Sequence, residues 1–555
     1  VKLDVVMRNG RIHTGDRARP EAHTIGILNG RVVGFDDELH GMHGIVEHDL
    51  DGQNVVPGFH DAHQHLSYLG LRQLQLDAHH SKVRTLDELY AAIERLASTL
   101  GPDEWILGGG FDQTRLGAFP HIDGLDRAAG GRPLWLTHTS EHMGVVNSEG
   151  LRRVGFADGS ELPEVPGGIV DRDASGRFTG LLQEQAKDLV ASHLKPPPAE
   201  YLIRALEAGT TLGLSQGLTS ITEPGIGSVT GLGNGPADLH WFQSAKEQGR
   251  LGLRVCVMPY ITQVHDLGMI EPGLRGQGLD LGLRSGFGDE FLHIGAVKVL
   301  SDGALFGRSA AMSCDFHDTP GNRGLFQFDP GELRETVIGL NRAGWQVAMH
   351  AVGDLAVAEA IETYALAALD HPRADARHRI EHCTVTSPAD VARIAELGIV
   401  PVPQGTHLSE GGESILAGLG PELAHSAYRM RSFVDAGVVL PGSTDAPVVG
   451  GAPIRSIHDM VNRMAPSGVV VGPDERLTVE QAVRAYTHGS AYADHREHEK
   501  GTLSLGKLAD LVVLSDDIFS VPADRICDVE VGATIVGGEV RFDAGALRSG
   551  VLQPS

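Results

Sequence analysis

The sequence predicts an α/β protein: a (β/α)8 barrel with a large insertion after its first strand and a small β-sandwich built from both termini. Three observations lead there. Between residues 56 and 490, apolar runs of four to eight residues alternate with helical stretches, the pattern of βαβ units feeding a parallel sheet. Both ends of the chain are β-rich and punctuated by turn residues. The 555 residues leave room for a barrel of roughly 250 residues plus additions.

The elements follow in order. DVVMRNGRIHT, HTIGILNGRVVGFD and GIVEHDLDGQNVV set alternating or β-branched residues around Asn-Gly and Asp-Gly turns, and read as hairpins. LADLVVLSDD, VEVGATIVGG and EVRFDAG repeat the style at the far end, so residues 1–55 and 491–555 are assigned to one β-sandwich. Eight candidate barrel strands lie at 55–65, 218–224, 253–259, 294–303, 345–351, 378–383, 398–404 and 438–445. A ninth run, PLWLTHT, falls inside the insertion, taken as about residues 71–195. Between the strands, PGELRETVIGLNRAG and DLAVAEAIETYALAAL have helical periodicity.

Composition narrows the function. The formal charge of −26 without a basic stretch argues against nucleic acid as a partner. No run of 18 apolar residues suggests a membrane span, and the first residues lack the pattern of a secretory signal. The four cysteines, Cys256, Cys314, Cys383 and Cys527, are far apart with no CxxC pair, which suggests neither a disulfide framework nor a thiolate zinc site and fits a cytoplasmic protein. Homo-oligomerisation is the default expectation for a chain of this kind. The 28 histidines equal Phe, Tyr and Trp combined, so imidazole chemistry is the first to test.

Several predicted strands end in a residue that can bind metal: His63 and His65 on the first, Lys298 on the fourth, His350 on the fifth, His382 on the sixth and Asp445 on the eighth. Barrel active sites lie at the C-terminal strand ends, where such residues converge. In HDAHQH the period of two would place His63 and His65 on one face of a strand, able to chelate one ion. Each residue alone has an ordinary explanation: a core histidine, a chance HxH, a lysine reaching solvent, an aspartate capping a turn. Their joint placement outweighs those readings. Lys298 is the sharpest anomaly, because an ammonium inside the apolar run AVKVLSDG must be paired or chemically altered.

PGFHDAHQH, VKVLSDG, MHAVGD, RIEHC, GSTDAP and GTLSLGKLADLVVLSDD together resemble the amidohydrolase superfamily, in the family 3 branch that includes N-substituted formamide deformylases. The resemblance spans nearly the whole chain, including HMGVVNSEGL and GGIVDRDASGRFTGLLQEQA within the insertion. It implies that His63, His65, Lys298, His350, His382 and Asp445 hold one or two divalent metal ions, zinc first, with Lys298 as a bridging N6-carboxylysine, and it too implies a flanking β-sandwich. One local departure is His60, where the family more often carries an apolar residue.

The expected chemistry is hydrolysis of an amide C–N bond in a small substrate, an N-substituted formamide or small N-acyl amine. Zinc lowers the pKa of its water from 15.7 towards ~7. The hydroxide attacks, and Asp445 carries the proton to the leaving nitrogen. His382, where not taken up by metal, is expected to steady the oxyanion. His142, Glu184 and Arg308 are expected substrate contacts, against surface or salt-bridge roles. Asp302 is expected to orient a loop, Asp354 to cap a helix, and Glu381 to point away from the ion because strand direction alternates. Two other readings stay open: a cyclic amide, hydantoin or imidazolone hydrolase, and a non-catalytic metal-binding regulatory protein.

Overall fold

Strands enclosed by helices on one side and by one another on the other have no wet face, and the central strands here carry that signature. Leu218–Ile226 and Arg254–Pro259 are buried at every position. The structure, a computed structural model, describes residues 2–79, 82–138, 143–194, 197–228, 235–271 and 274–550. The chain divides into two compact units, Val1–Leu66 with Thr210–Ser555, and Ser67–Gly209.

In the first unit the strands are labelled β1 (Phe59–Asp61), β2 (Leu218–Ile226), β3 (Arg254–Pro259), β4 (Leu292–Ile294), β5 (Val297–Leu300), β6 (Val347–Ala351), β7 (Arg379–His382) and β8 (Val400–Val402). All pairings among them are parallel: β1 with β2, β2 with β3, β3 with β4, then β5 with β6, β6 with β7 and β7 with β8. A parallel bridge from Tyr260 to Lys298 joins β3 to β5, and another joins Gln404 to Ser443. The pairing then returns to its start, because Ala62 N–H donates to Gly442 O (2.9 Å) and Asp445 N–H to His63 O (2.8 Å).

Helices α1 (Asp238–Glu247), α2 (Pro330–Arg342), α3 (Asp354–Asp370), α4 (Pro388–Leu397) and α5 (Thr406–Ala424) connect successive strands or follow the last. Their starts are set locally. Asp329 caps α2 by accepting from Gly331 and Glu332 N–H (2.9 and 3.1 Å), and Ser387 with Asp390 forms a capping box on α4, which Gly398 ends at φ 63°. Helix α3 buries Val357, Ala360, Ile361 and Tyr364, and the Tyr364 hydroxyl donates to Arg379 O (2.8 Å), tying it to β7. Asp354 is the first residue of α3 rather than its cap, which is Gly353; its carboxylate accepts Ser313 N–H instead (2.9 Å).

Both termini of the chain contribute to two further sheets. In one, Lys2–Arg8 lies between Ile25–Leu28 and His43–Asp49; in the other, Asn54–Pro57 lies between Arg11–Asp16 and Leu511–Leu514. They share one apolar cluster, with Met7, Ile25 and Ile27 from the first sheet and Ile12, Val55, Leu511 and Ile535 from the second. Arg254 at the start of β3 reaches this region and pairs bidentately with Asp510 (2.7 and 3.0 Å), both side chains buried.

The Ser67–Gly209 unit has its own six-stranded sheet, ordered Gly168–Arg172, Phe178–Glu184, Met143–Val146, Leu134–His138, Ile106–Phe111, Leu76–Asp77. Alternation fills both faces: Leu134, Leu136, Val145 and Leu181 enter one core, Trp135, Val146, Phe178 and Leu182 another. Leu134–His138, from the PLWLTHT run, is a strand of this sheet.

Three expected strands differ from what is observed. The run 55–65 splits, Asn54–Pro57 joining the terminal sheet and Phe59–Asp61 the central one. The break is at Gly58, where a Cβ would stand 2.2 Å from Thr219 Oγ1. The run 294–303 divides at Gly295 and Ala296 into the end of β4 and β5. Residues 438–445 form no regular strand, since Pro441 lacks the N–H a ladder needs; they keep their place through the Gln404–Ser443 bridge on one side and the backbone bonds to Ala62 and His63 on the other.

Candidate metal centre

The two histidines of HDAHQH do not lie on a strand. β1 ends at Asp61, and His63 and His65 occupy the bend that follows. The expected same-face pairing therefore fails as a mechanism, and hydrogen bonds take its place. Asp61 Oδ1 accepts the backbone N–H of His63 (3.0 Å) and of Thr444 (3.1 Å), while Oδ2 accepts Thr444 Oγ1–H (2.6 Å). One carboxylate thus positions the backbone on both sides of the site. Burial pushes Asp61 up to about 7, against the pull of those donors.

The rings converge. His63 stands 5.6 Å from His65 and 5.1 Å from His382 between centroids, and His382 stands 4.5 Å from His350. Asp445 Oδ1 lies 3.4 Å from His63 Nε2 and 3.3 Å from His65 Nε2. Two ligands bound at about 2.0–2.1 Å to one tetrahedral ion stand roughly 3.3 Å apart. The donor atoms of His63, His65 and Asp445 all lie within 4.8 Å of one another, so these residues fit a metal.

Neighbouring groups set the tautomers. His63 Nδ1 donates to the Glu381 carboxylate, itself held by Arg379 Nε–H (2.7 Å), and Arg379 Nη2 donates to Ala62 O (2.6 Å). The lone pair is thereby left on His63 Nε2. Gln404 Nε2 donates to Val402 O (2.8 Å) and Ser443 Oγ (3.1 Å), so its Oε1 accepts from His382 Nδ1 (2.8 Å) and leaves the lone pair on His382 Nε2. His350 donates Nε2–H to Gly303 O (3.0 Å), which leaves Nδ1.

Burial also keeps these rings neutral. It lowers His63 and His350 to about 4, with the Lys298 charge adding to the effect, and lowers His382 well below the usual imidazole value. Burial lowers Lys298 to about 8, against Glu381 and Asp445. Burial pushes Asp445 up, but His65, His63 and His382 outweigh it and hold the carboxylate well below its usual range. His382 and Asp445 both have left-handed backbone, at φ 69° and 62°.

Two sequence expectations are corrected. Glu381 does not turn away from the site. Arg379 and Glu381 share the inner face of β7, and the left-handed turn at His382 breaks the alternation, so the histidine swings back to the same side. His382 cannot serve as a donor to an oxyanion, because its single proton is committed to Gln404.

Other residues went unnoticed in the sequence. His407, on α5, places Nε2 3.7 Å from Asp445 Oδ2 and pairs Nδ1 with the Tyr428 hydroxyl (2.7 Å); its buried Nε2 has no hydrogen-bond partner. Nothing in THLSEGG separates it from a surface histidine. The Arg308 guanidinium is engaged by Asp318 (2.6 and 2.8 Å), Leu305 O and Ser414 Oγ. Asp302 orients a loop as expected, accepting from Ala311, Val352 and Gly353 N–H (3.0, 3.1 and 2.9 Å). Glu184 ends a strand of the Ser67–Gly209 unit, exposed and at φ 50°. His142 lies outside the described residues.

Residues 46–542 match the amidohydrolase family. The chain belongs to that family. Similar to this amidohydrolase is Protein LONG AFTER FAR-RED 3 of Arabidopsis thaliana, 32% identical over 97% of this chain and 91% of that protein. N-substituted formamide deformylase of Arthrobacter pascens is 28% identical over 97% of this chain and 98% of its own. Among solved structures, an uncharacterized metal-dependent hydrolase from Pyrococcus furiosus superposes with a TM-score of 0.73 at 27% identity, covering 93% of this chain and all of that one. The amidohydrolase is a metal-dependent hydrolase acting on carbon–nitrogen bonds, within a family that acts on small molecules. Among its described residues no helix is long and apolar enough to cross a membrane.

Proposed function

We propose that this amidohydrolase cleaves the amide bond of a small N-acyl amine, with N-substituted formamides as its substrate class. The observation that carries the reading is the placement of Asp445 Oδ1 against Nε2 of both His63 and His65. The kinship to a formamide deformylase over nearly the whole chain supports the substrate class. The order of parallel pairs supports a (β/α)8 barrel, with the Ser67–Gly209 unit inserted after its first strand and the terminal sheets forming a β-sandwich.

His63, His65, His350, His382 and Asp445 would hold zinc, with Lys298 as the bridging residue. A cation held there would supply an acidified water and polarise the substrate carbonyl. Asp445 is a carboxylate at neutral pH and can take the proton of the attacking water, then deliver it to the departing nitrogen. With the Tyr428 hydroxyl donating to Nδ1, His407 carries its proton on Nε2 and is the donor for the developing oxyanion. At about 8, Lys298 has an accessible neutral amine, which can bond to the carbon of CO2 and lose a proton to become a carbamate. The four cysteines are free, in keeping with a reducing cytoplasm.

The test is a hydrolysis screen of N-substituted formamides, N-acyl amines and cyclic amides on zinc-loaded protein, with metal content measured alongside. Release of formate and amine in equal amounts is expected. Ring opening alone would move the assignment to cyclic amides. No turnover by fully metallated protein would leave a regulatory metal-binding role.

A further inference from the structure

The four cysteines look unrelated in the sequence, yet the fold sets one of them in a ligand cluster apart from the site described above. Cys256 and His293 are directly paired residues on β3 and β4, so their side chains leave the sheet on the same face. Asp494, just after the short helix Ser490–Ala493, meets them there. The donor atoms of all three lie within 4.8 Å of one another, and all three residues are buried.

We propose that Cys256, His293 and Asp494 form a second divalent-cation site, for zinc or a similar borderline-soft ion.

The donor set is one thiolate, one imidazole and one carboxylate, the mixture of sulfur, nitrogen and oxygen that zinc accepts. Thiolate and carboxylate together cancel a divalent charge, which a buried site needs. His293 Nε2 stands 2.7 Å from Asp494 Oδ1, so both atoms already face one point, and a few tenths of an ångström of separation would admit an ion between them. Without a cation the Asp494 carboxylate holds the ring proton on His293 Nε2, the atom an ion would take over, while Nδ1 is buried without a hydrogen-bond partner. Lys500 Nζ pairs with the other carboxylate oxygen (3.1 Å) and keeps Asp494 ionised while leaving Oδ1 for the ion. A Cβ on Gly295 would lie 2.3 Å from Cys256 Sγ, so the glycine leaves room for the sulfur.

There is also a way in. His293 and Asp494 form part of the wall of a cavity of about 380 Å³, together with Ser285, Arg373 and His495. It would serve as the entry path and provide water for the fourth position. The site lies below the His63 cluster along the same strands: Tyr260, four residues beyond Cys256, is the partner of Lys298. Its ligands join β3 and β4 to the segment after residue 490, so the ion would act as a clamp on the C-terminal part of the chain.

The experiment is a Co2+ titration of the full-length protein after chelation, followed by near-ultraviolet absorption. The His63 cluster offers no sulfur, so a thiolate-to-cobalt charge-transfer band is expected from Cys256 alone. Cys383 adjoins His382, and C383S must keep the band. C256S is expected to lose the band and bind one equivalent of metal fewer, with formamide hydrolysis intact. D494N provides a second variant in case C256S fails to fold, and its band should appear only at higher cobalt. Absence of the band in wild type, or its persistence in C256S, would overturn the proposal and leave a hydrogen-bonded clamp without an ion.

Discussion

Glu381 accepts the Nδ1 proton of His63, a residue 318 positions earlier in the chain, and in doing so dictates which nitrogen of that ring faces Asp445. Partners of this kind typically contribute 10–100-fold to metal affinity. E381Q can still accept through its carbonyl oxygen but not as an anion. Its zinc affinity, measured by competition with a chromophoric chelator, should fall about tenfold or more. Unchanged affinity would remove the orienting role.

Asp445→Asn tests the proton carrier. It keeps an oxygen near His63 and His65 but cannot accept a proton, so kcat should fall roughly 10²–10⁴-fold. Metal content must be measured in the same preparation. Near-normal turnover by metal-replete D445N would contradict the assignment.

For His407, replacement by Phe preserves a flat ring and removes the Nε2 donor. Loss of one oxyanion donor costs about 10²–10³ in kcat. The expected pattern is that loss with KM and bound zinc unchanged; a fall in zinc instead would make His407 a ligand.

The buried pair of Arg254 and Asp510 should behave asymmetrically. Breaking one side, as in R254M, strands a buried charge and should cost ~3–5 kcal/mol of stability. The double variant R254M/D510L should recover most of that loss. Urea titrations of the metal-loaded proteins would show it, and equal destabilisation of single and double variants would speak against a desolvated pair.

His378 supplies a pH-dependent element of stability. It is buried, its Nδ1 accepts Val347 N–H (3.1 Å), and burial together with Arg373 lowers it to about 3 from 6.5. The folded state therefore binds fewer protons than the unfolded state between those values. Its contribution is complete above pH 6.5 and is lost as pH falls towards 3, a penalty of the order of a few kcal/mol. Urea midpoints measured from pH 7 to pH 4 should fall less steeply in H378Q than in wild type. Parallel slopes would exclude the effect.

Much of the centre was legible in the sequence because its residue types are costly to bury without purpose. Lys298 inside an apolar run stood out on those grounds, and His63, His65, His350, His382 and Asp445 stood out at the ends of predicted strands. The period-two argument failed at two places for one reason: backbone leaves the extended conformation at the site itself. His63 and His65 sit in a bend beyond β1, and His382 at φ 69° ends the alternation that would have turned Glu381 outward. His407 and Gln404 carry no local signal, since their meaning depends on neighbours supplied by other strands. The association of Cys256 with His293 and Asp494 likewise exists only through strand pairing and the return of the chain near residue 494.

The hydrogen bond from Thr444 N–H to the Asp61 carboxylate spans 383 residues, and the sheet that holds Asn54–Pro57 waits for Leu511–Leu514. During synthesis the first half of the ligand set is therefore made long before its counterpart. Until about residue 445 has left the ribosome, Nε2 of His63 and of His65 lack the Asp445 carboxylate they face. Contacts of such sequence separation form late and slowly. On the proposed assignment, metal loading is a late event in the maturation of this chain, and nascent chains that stop short of residue 445 should leave the ribosome without a completed His63–His65–Asp445 centre.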